Sequence, residues 1–238
     1  MKLYLSSYHL CKEPARLSSL PAKNKRVAVV RNALDQYTDG PRLKEGLERE
    51  INDLTAIGLL PEPLELRNYF GKTEDLKKHI GEFGFIWVTG GNSFVLRRAY
   101  AQSGLDIILK DKLVEDDFVY AGYSAGICVV TPTLEGIHLA DDPEAMPSGY
   151  SKEVIWSGLS FIPFCIAPHY RSDHFESALI EKSVEYFIEH KMPFIALHDG
   201  EALLLDTKTS NQSLDSTSFA GDALSEAVAG GGSGRESA

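Results

Sequence analysis

Short apolar runs alternate with amphipathic stretches along most of the chain. Residues 3–5, 27–30, 85–88, 118–121, 161–166 and 194–197 have strand length, and several are rich in Val, Ile and Phe. Between them apolar residues recur at helical spacing. Leu43, Leu47, Ile51 and Leu54 mark one predicted helix, with Gly58 as its stop. Phe175, Leu179, Ile180, Val184, Phe187 and Ile188 mark the apolar stripe of another. Continuous apolar strands separated by amphipathic helices predict a mostly parallel sheet covered on both faces. The expected class is α/β, doubly wound.

Two stretches break this rhythm. Residues 139–157 show no period and read as a long loop, the kind of segment that often carries function. From Thr207 onward the composition shifts to Ser, Thr, Ala, Asp and Gly, ending in Gly230-Gly231-Gly232-Ser233-Gly234. The predicted organisation is one domain over residues 1–208, with room for an extra strand near its end, and a flexible low-complexity tail over 209–238. A total of 238 residues, 43% hydrophobic and 24% charged, fits a globular chain with a sizeable core rather than a disordered one.

Charge narrows the partners. The 24 basic and 34 acidic residues leave a net charge of −10, which argues against binding nucleic acid or a membrane surface. No apolar run is long enough to span a bilayer, and Cys11, Lys12 and Glu13 interrupt the N-terminal segment too early for a signal-peptide core. Three cysteines form neither a paired framework nor C-x-x-C. The expectation is a cytoplasmic chain.

The chemistry concentrates at Val119-Tyr120-Ala121-Gly122-Tyr123-Ser124-Ala125-Gly126-Ile127-Cys128. An apolar strand enters Gly-x-Ser-x-Gly and leaves in a helix-compatible segment. A nucleophile elbow needs that context, because glycines relieve crowding at a turn sharp enough to expose the serine oxygen. Ser124 is the candidate nucleophile. Cys128, one turn on, reads as a core residue. Among seven histidines, His9, His79 and His190 read as surface residues, whereas His169 follows a predicted strand and Ala167-Pro168. Catalytic groups collect at the carboxyl ends of strands in open α/β sheets, so His169 is the candidate base. A base needs a carboxylate to fix its tautomer. Asp199, after the run 194–197, is the first choice, with Asp141, Asp142 and Glu201 as alternatives. Oxyanion donors are expected from the loop Thr89-Gly90-Gly91-Asn92, at Gly91, and from the N–H of Ala125. A phosphate-loop reading of Gly90-Gly91 lacks the Lys-Ser/Thr of a P-loop and the third glycine of a dinucleotide site.

These residues in this order resemble the peptidase E family, the α-aspartyl dipeptidases, which also includes the cyanophycinases. The resemblance covers roughly residues 1–206. It rests on Val88-Thr89-Gly90-Gly91-Asn92-Ser93-Phe94, Gly122-Tyr123-Ser124-Ala125-Gly126, Pro132-Thr133, Ala167-Pro168-His169-Tyr170 and Ala196-Leu197-His198-Asp199-Gly200-Glu201. It implies a class I glutamine amidotransferase-like fold and a serine peptidase acting on short peptides through an acyl-enzyme on Ser124. It implies His169 as base, Asp199 as the acidic member, Gly91 at the oxyanion, and a second acidic position near Asp141 or Asp142. Neither a metal nor an organic cofactor is implied. The family's Gly-Glu-Thr-Arg stretch has no counterpart arginine here, since the chain reads His174-Phe175-Glu176-Ser177-Ala178-Leu179. The arginine that would meet an acidic substrate is therefore not carried over.

Two other readings stand beside this one. An α/β-hydrolase esterase would order its triad as Ser124, then Asp141, Asp142 or Asp173, then His198. A binding or regulatory module would keep the fold without turnover. The partner expected under the first reading is a small peptide, with the chain either a monomer or a homodimer.

Overall fold

The computed structural model describes residues 1–37 and 40–207; the tail expected over 209–238 lies outside the described residues. Eight strands form within them: β1 (Lys2–Ser6), β2 (Arg26–Val30), β3 (Leu60–Leu64), β4 (Phe85–Val88), β5 (Val119–Tyr123), β6 (Cys165–Ala167), β7 (Phe194–Ala196) and β8 (Ala202–Asp206). The helices are α1 (Ala15–Ser18), α2 (Pro41–Ala56), α3 (Thr73–Ile80), α4 (Ser93–Ser103), α5 (Leu105–Lys112), α6 (Ala125–Cys128) and α7 (Ser177–Glu189). Six strands make one sheet in the order β3-β2-β4-β5-β1-β8. It is parallel except for β8, which runs antiparallel along β1.

Both faces of this sheet are covered. Leu3, Leu5, Ala28, Val30, Ile86, Val88 and Tyr120 point into one core, and Tyr4, Val27, Val29, Phe85, Trp87, Val119 and Ala121 into the other. Alternate side chains of one strand thus enter opposite cores. This is why the strands read as unbroken apolar runs without a polar alternation. Removing one of the Val, Leu, Ile or Phe side chains among them from water contributes roughly 1.5–3 kcal/mol.

Strand β3 was not visible in the apolar pattern, because its sequence is Leu-Pro-Glu-Pro-Leu. It is an edge strand, paired only with β2. The Leu60 N–H donates to Lys25 O at 2.8 Å, so the even-numbered amides face the ladder and the prolines at 61 and 63 fall on the outer side.

The second half departs from expectation in two ways. Strand β6 is shorter than the apolar run 161–166, because the N–H of Phe161 donates to Val130 O at 2.9 Å in the segment after the elbow. Strands β6 and β7 also form their own parallel pair, apart from the six-stranded sheet. Helix α7 buries Ile180, Val184 and Phe187, but Phe175 lies before it and is 82% exposed, and Ile188 is also exposed. Among the described residues no helix is long and apolar enough to cross a membrane.

The strand order fixes where chemistry can assemble. The carboxyl end of β5 lies between those of β4 and β1, so the segments starting at Thr89, Ser124 and Ser7 meet at one edge.

Candidate active site

Ser124 has φ 51° and ψ −118°, a left-handed conformation for a non-glycine residue, which costs about 1–3 kcal/mol. Neighbouring bonds hold it there. Its N–H donates to Ser7 O at 3.2 Å, and its carbonyl accepts the N–H groups of Ile127 and Cys128 as α6 begins. The glycines either side are required by close packing on β4. A Cβ at Gly122 or Gly126 would lie 2.6 or 2.4 Å from Val88 O. The Gly-x-Ser-x-Gly pattern is therefore the condition for β5 and α6 to press against the same carbonyl.

The loop after β4 lies over the serine. A Cβ at Gly90 would sit 2.9 Å from Ser124 Cβ. Gly91 takes φ 137°, and a Cβ there would meet Ala33 O at 2.5 Å. The Asn92 N–H donates to that same oxygen, and its side chain accepts the N–H groups of Phe94 and Val95, capping α4. No acceptor among the described residues takes the N–H of Gly91 or Ala125.

His169 follows β6 and Pro168, has φ 59°, and is 1% exposed. Its Nδ1 lies 2.8 Å from Asp199 Oδ1. A carboxylate only accepts, so Nδ1 carries the proton and Nε2 presents its lone pair. That Nε2 is buried and hydrogen-bonded to nothing among the described residues, Ser124 included. The Asp199 N–H donates to Ser172 Oγ at 2.8 Å.

Ser7, just past β1, ties these groups together. Its carbonyl receives the Ser124 N–H, and its hydroxyl accepts the His169 N–H and lies 2.8 Å from Asp199 Oδ1. Sequence reading missed Ser7. Its only signal was its position at the carboxyl end of a predicted strand.

The other face of His169 is lined by groups that were also missed. The His174 ring stacks on it, with centroids 3.7 Å apart and planes 7° from parallel, and Tyr8 packs edge-on. Glu176 Oε2 lies 4.0 Å from Nε2. Burial, then the nearby His174, lower the His169 pKa to about 4 despite the pull of Asp199. Burial, then the charge of Asp141, raise Glu176 to about 7.

The ligand atoms of His169, His174 and Glu176 lie within 4.8 Å of one another. The geometry suits a metal poorly. Imidazole binds an ion in its ring plane, and two parallel stacked rings have no common point in both planes.

The alternative acids are engaged elsewhere. Asp141 Oδ2 accepts the Ser93 N–H at the start of α4, and burial raises its pKa to about 6. Asp142 accepts the Glu144 N–H, and Glu201 accepts the N–H of His198. His198 is exposed, with its ring 6.0 Å from that of Tyr170. His9 is not the surface residue expected: its Nδ1 lies 3.2 Å from Glu50, a buried carboxylate that also accepts from Trp87 Nε1 and the Tyr123 hydroxyl. These bonds lower the Glu50 pKa even though burial acts to raise it. They anchor the tyrosine preceding Ser124.

An open, mostly parallel sheet with a strained serine at a strand-to-helix turn defines an α/β protein of the nucleophile-elbow class. The chain belongs to peptidase family S51, whose family model matches residues 17–212. It is 29% identical over 121 residues to an uncharacterized peptidase of Listeria innocua, covering 51% of this chain and 54% of that protein. It is 30% identical over 134 residues to a Drosophila melanogaster protein named "Probable alpha-aspartyl dipeptidase", covering 54% and 52%. The chain thus spans about half the length of these curated relatives. A crystal structure from Listeria monocytogenes EGD-e, provisionally named a peptidase E protein, superposes with a TM-score of 0.68 at 21% identity, over 86% of this chain and 93% of that one. A peptidase from an acI-B1 Actinobacterium gives 0.59 at 12%, over 86% and 82%. At these identities the two structures establish the fold.

Proposed function

We propose that the chain is a serine peptidase that hydrolyses short peptides, dipeptides among them, through an acyl-enzyme on Ser124. The observation that carries this reading is the pairing of His169 Nδ1 with Asp199, which leaves a buried Nε2 lone pair with no hydrogen-bond partner among the described residues. Membership of peptidase family S51 and the dipeptidase name of the Drosophila relative support it.

In this mechanism Ser124 Oγ attacks the scissile carbonyl while His169 Nε2 takes its proton, the Ser124–His169 hydrogen bond closing as substrate binds. The N–H groups of Gly91 and Ala125 receive the oxyanion. His169 then gives the proton to the leaving amine, and water, deprotonated by the same nitrogen, releases the acyl group. Asp199 holds the Nδ1–H tautomer and stabilises the imidazolium formed in between.

A panel of unblocked dipeptides with acidic, β-aspartyl, neutral and basic first residues tests the reading, with amine release as the readout. Turnover of at least one member is expected, lost when His169 is replaced by alanine. Release that survives this change would sink the assignment of the base. A second expectation follows from the lowered His169 pKa. Labelling of Ser124 by a fluorophosphonate requires neutral imidazole, so its rate should be constant above about pH 5 and fall through a midpoint near 4. A midpoint near 6.5 would mean that the buried, His174-stacked imidazole is not the base.

A further inference from the structure

We infer that the carboxylate of Glu176 holds the free α-ammonium group of the substrate, making this site selective for unblocked amino termini. The inference rests on the serine peptidase reading above.

The position comes first. Glu176 Oε2 lies 4.0 Å from His169 Nε2, the nitrogen that must reach both Ser124 and the leaving amine. In a reactive complex the scissile carbonyl carbon sits within about 3–3.5 Å of the attacking oxygen. The α-nitrogen of the acyl residue is two bonds from that carbon. An ammonium group there can come within hydrogen-bond reach of a carboxylate placed beside Nε2.

Charge comes second. Among the described residues the ion-pair partners of Glu176 are His169 and His174 alone, at 4.0 and 3.8 Å. Both imidazoles have lowered pKa values and are neutral at pH 7. Asp141 adds a second negative group nearby, and among the described residues neither lysine nor arginine forms an ion pair with Glu176. A carboxylate four-fifths covered and without a cationic partner is costly to keep ionised. An arriving ammonium offsets that cost and returns the Glu176 pKa toward the ordinary carboxylate range.

Construction comes third. The Glu176 N–H donates to His174 Nδ1 at 3.2 Å, and the His174 ring is stacked on His169. The carboxylate is thereby positioned relative to the base through a single stack. Tyr8, just past β1, packs edge-on against both imidazoles. The Phe175 ring, 82% exposed, lies with its centroid 4.6 Å from that of His174.

The test uses three versions of the best dipeptide in the panel: free amine, desamino (hydrogen in place of the ammonium) and N-acetyl. For the native chain kcat/KM should favour the free amine over the desamino form by roughly 10- to 100-fold, the range expected of one charge-assisted bond. In Glu176→Gln this preference should collapse to a few-fold, mostly through KM on the free amine. Fluorophosphonate labelling of Ser124 in both proteins separates the two ideas. Normal labelling with an unchanged amine preference in the variant overturns the ammonium assignment and leaves the peptidase reading standing. Equal turnover of amine and desamino forms by the native chain overturns it without any variant. A native chain that neither labels nor hydrolyses any of the three overturns both.

Discussion

Alanine at position 124 is expected to lower kcat/KM on the best dipeptide by roughly 10⁴-fold or more, the scale found when a serine nucleophile is removed. The reason is covalent: without Oγ no acyl-enzyme forms, and only the oxyanion donors and binding contacts are left to act on water. The fold should be unaffected. The bonds that hold the elbow run from the Ser124 main chain to Ser7, Ile127 and Cys128, and alanine retains all of them. Amine release, circular dichroism and fluorophosphonate labelling of the same preparation check this together. A folded Ser124→Ala protein keeping a tenth of native activity would move the nucleophile elsewhere.

The second large effect is expected from Asp199→Asn, again roughly 10⁴-fold in kcat. Asparagine keeps the shape but can turn its NH₂ toward His169 Nδ1. Nδ1 then becomes the acceptor, the proton moves to Nε2, and Nε2 can no longer take a proton from Ser124. Because Ser7 Oγ also lies 2.8 Å from Asp199 Oδ1, the side chain should stay in place, so the loss reports the tautomer rather than a displaced loop. The comparison variants are Glu201→Gln and His198→Ala. The Glu201 side chain accepts the N–H of His198, a bond that Gln can keep, and His198 is exposed, so activity should stay within a few-fold of native for both. A large loss at His198 with a mild one at His169 would instead favour the Ser–acid–His order of an α/β-hydrolase.

The motifs were legible because backbone geometry demands particular residues. Gly122 and Gly126 are read from the sequence as an elbow, and in the fold each meets Val88 O. His169 and Asp199 are read as residues following apolar strands, and the parallel pairing of β6 with β7 brings their ends side by side. The pattern also marked both faces of the sheet as buried, since adjacent residues of β2, β4 and β5 are apolar alike. Strand β3 was illegible for the opposite reason. An edge position exposes one side of the ladder, which lets two prolines stand where apolar periodicity would otherwise be seen.

What the sequence by itself determined was the α/β class, the serine at its turn, and the short set of histidines and acids at strand ends. These follow from local rules: hydrophobic period, glycine at crowded turns, and the placement of chemistry past a strand. Only the tertiary structure separated these acids by position and built the surroundings of His169. Asp141, Asp142, Glu201 and Asp199 are equivalent as letters, but only Asp199 lies within hydrogen-bond distance of His169 Nδ1. Ser7 is separated from His169 by 162 positions, and Glu50 from Tyr123 by 73, yet each pair is bonded. Contacts across such separations depend on the order β4-β5-β1 within the sheet, and no local pattern encodes that order. The same holds for Glu176 and His174, ordinary polar residues in the sequence, which become part of the site because the turn after His169 folds back and stacks one imidazole on the other.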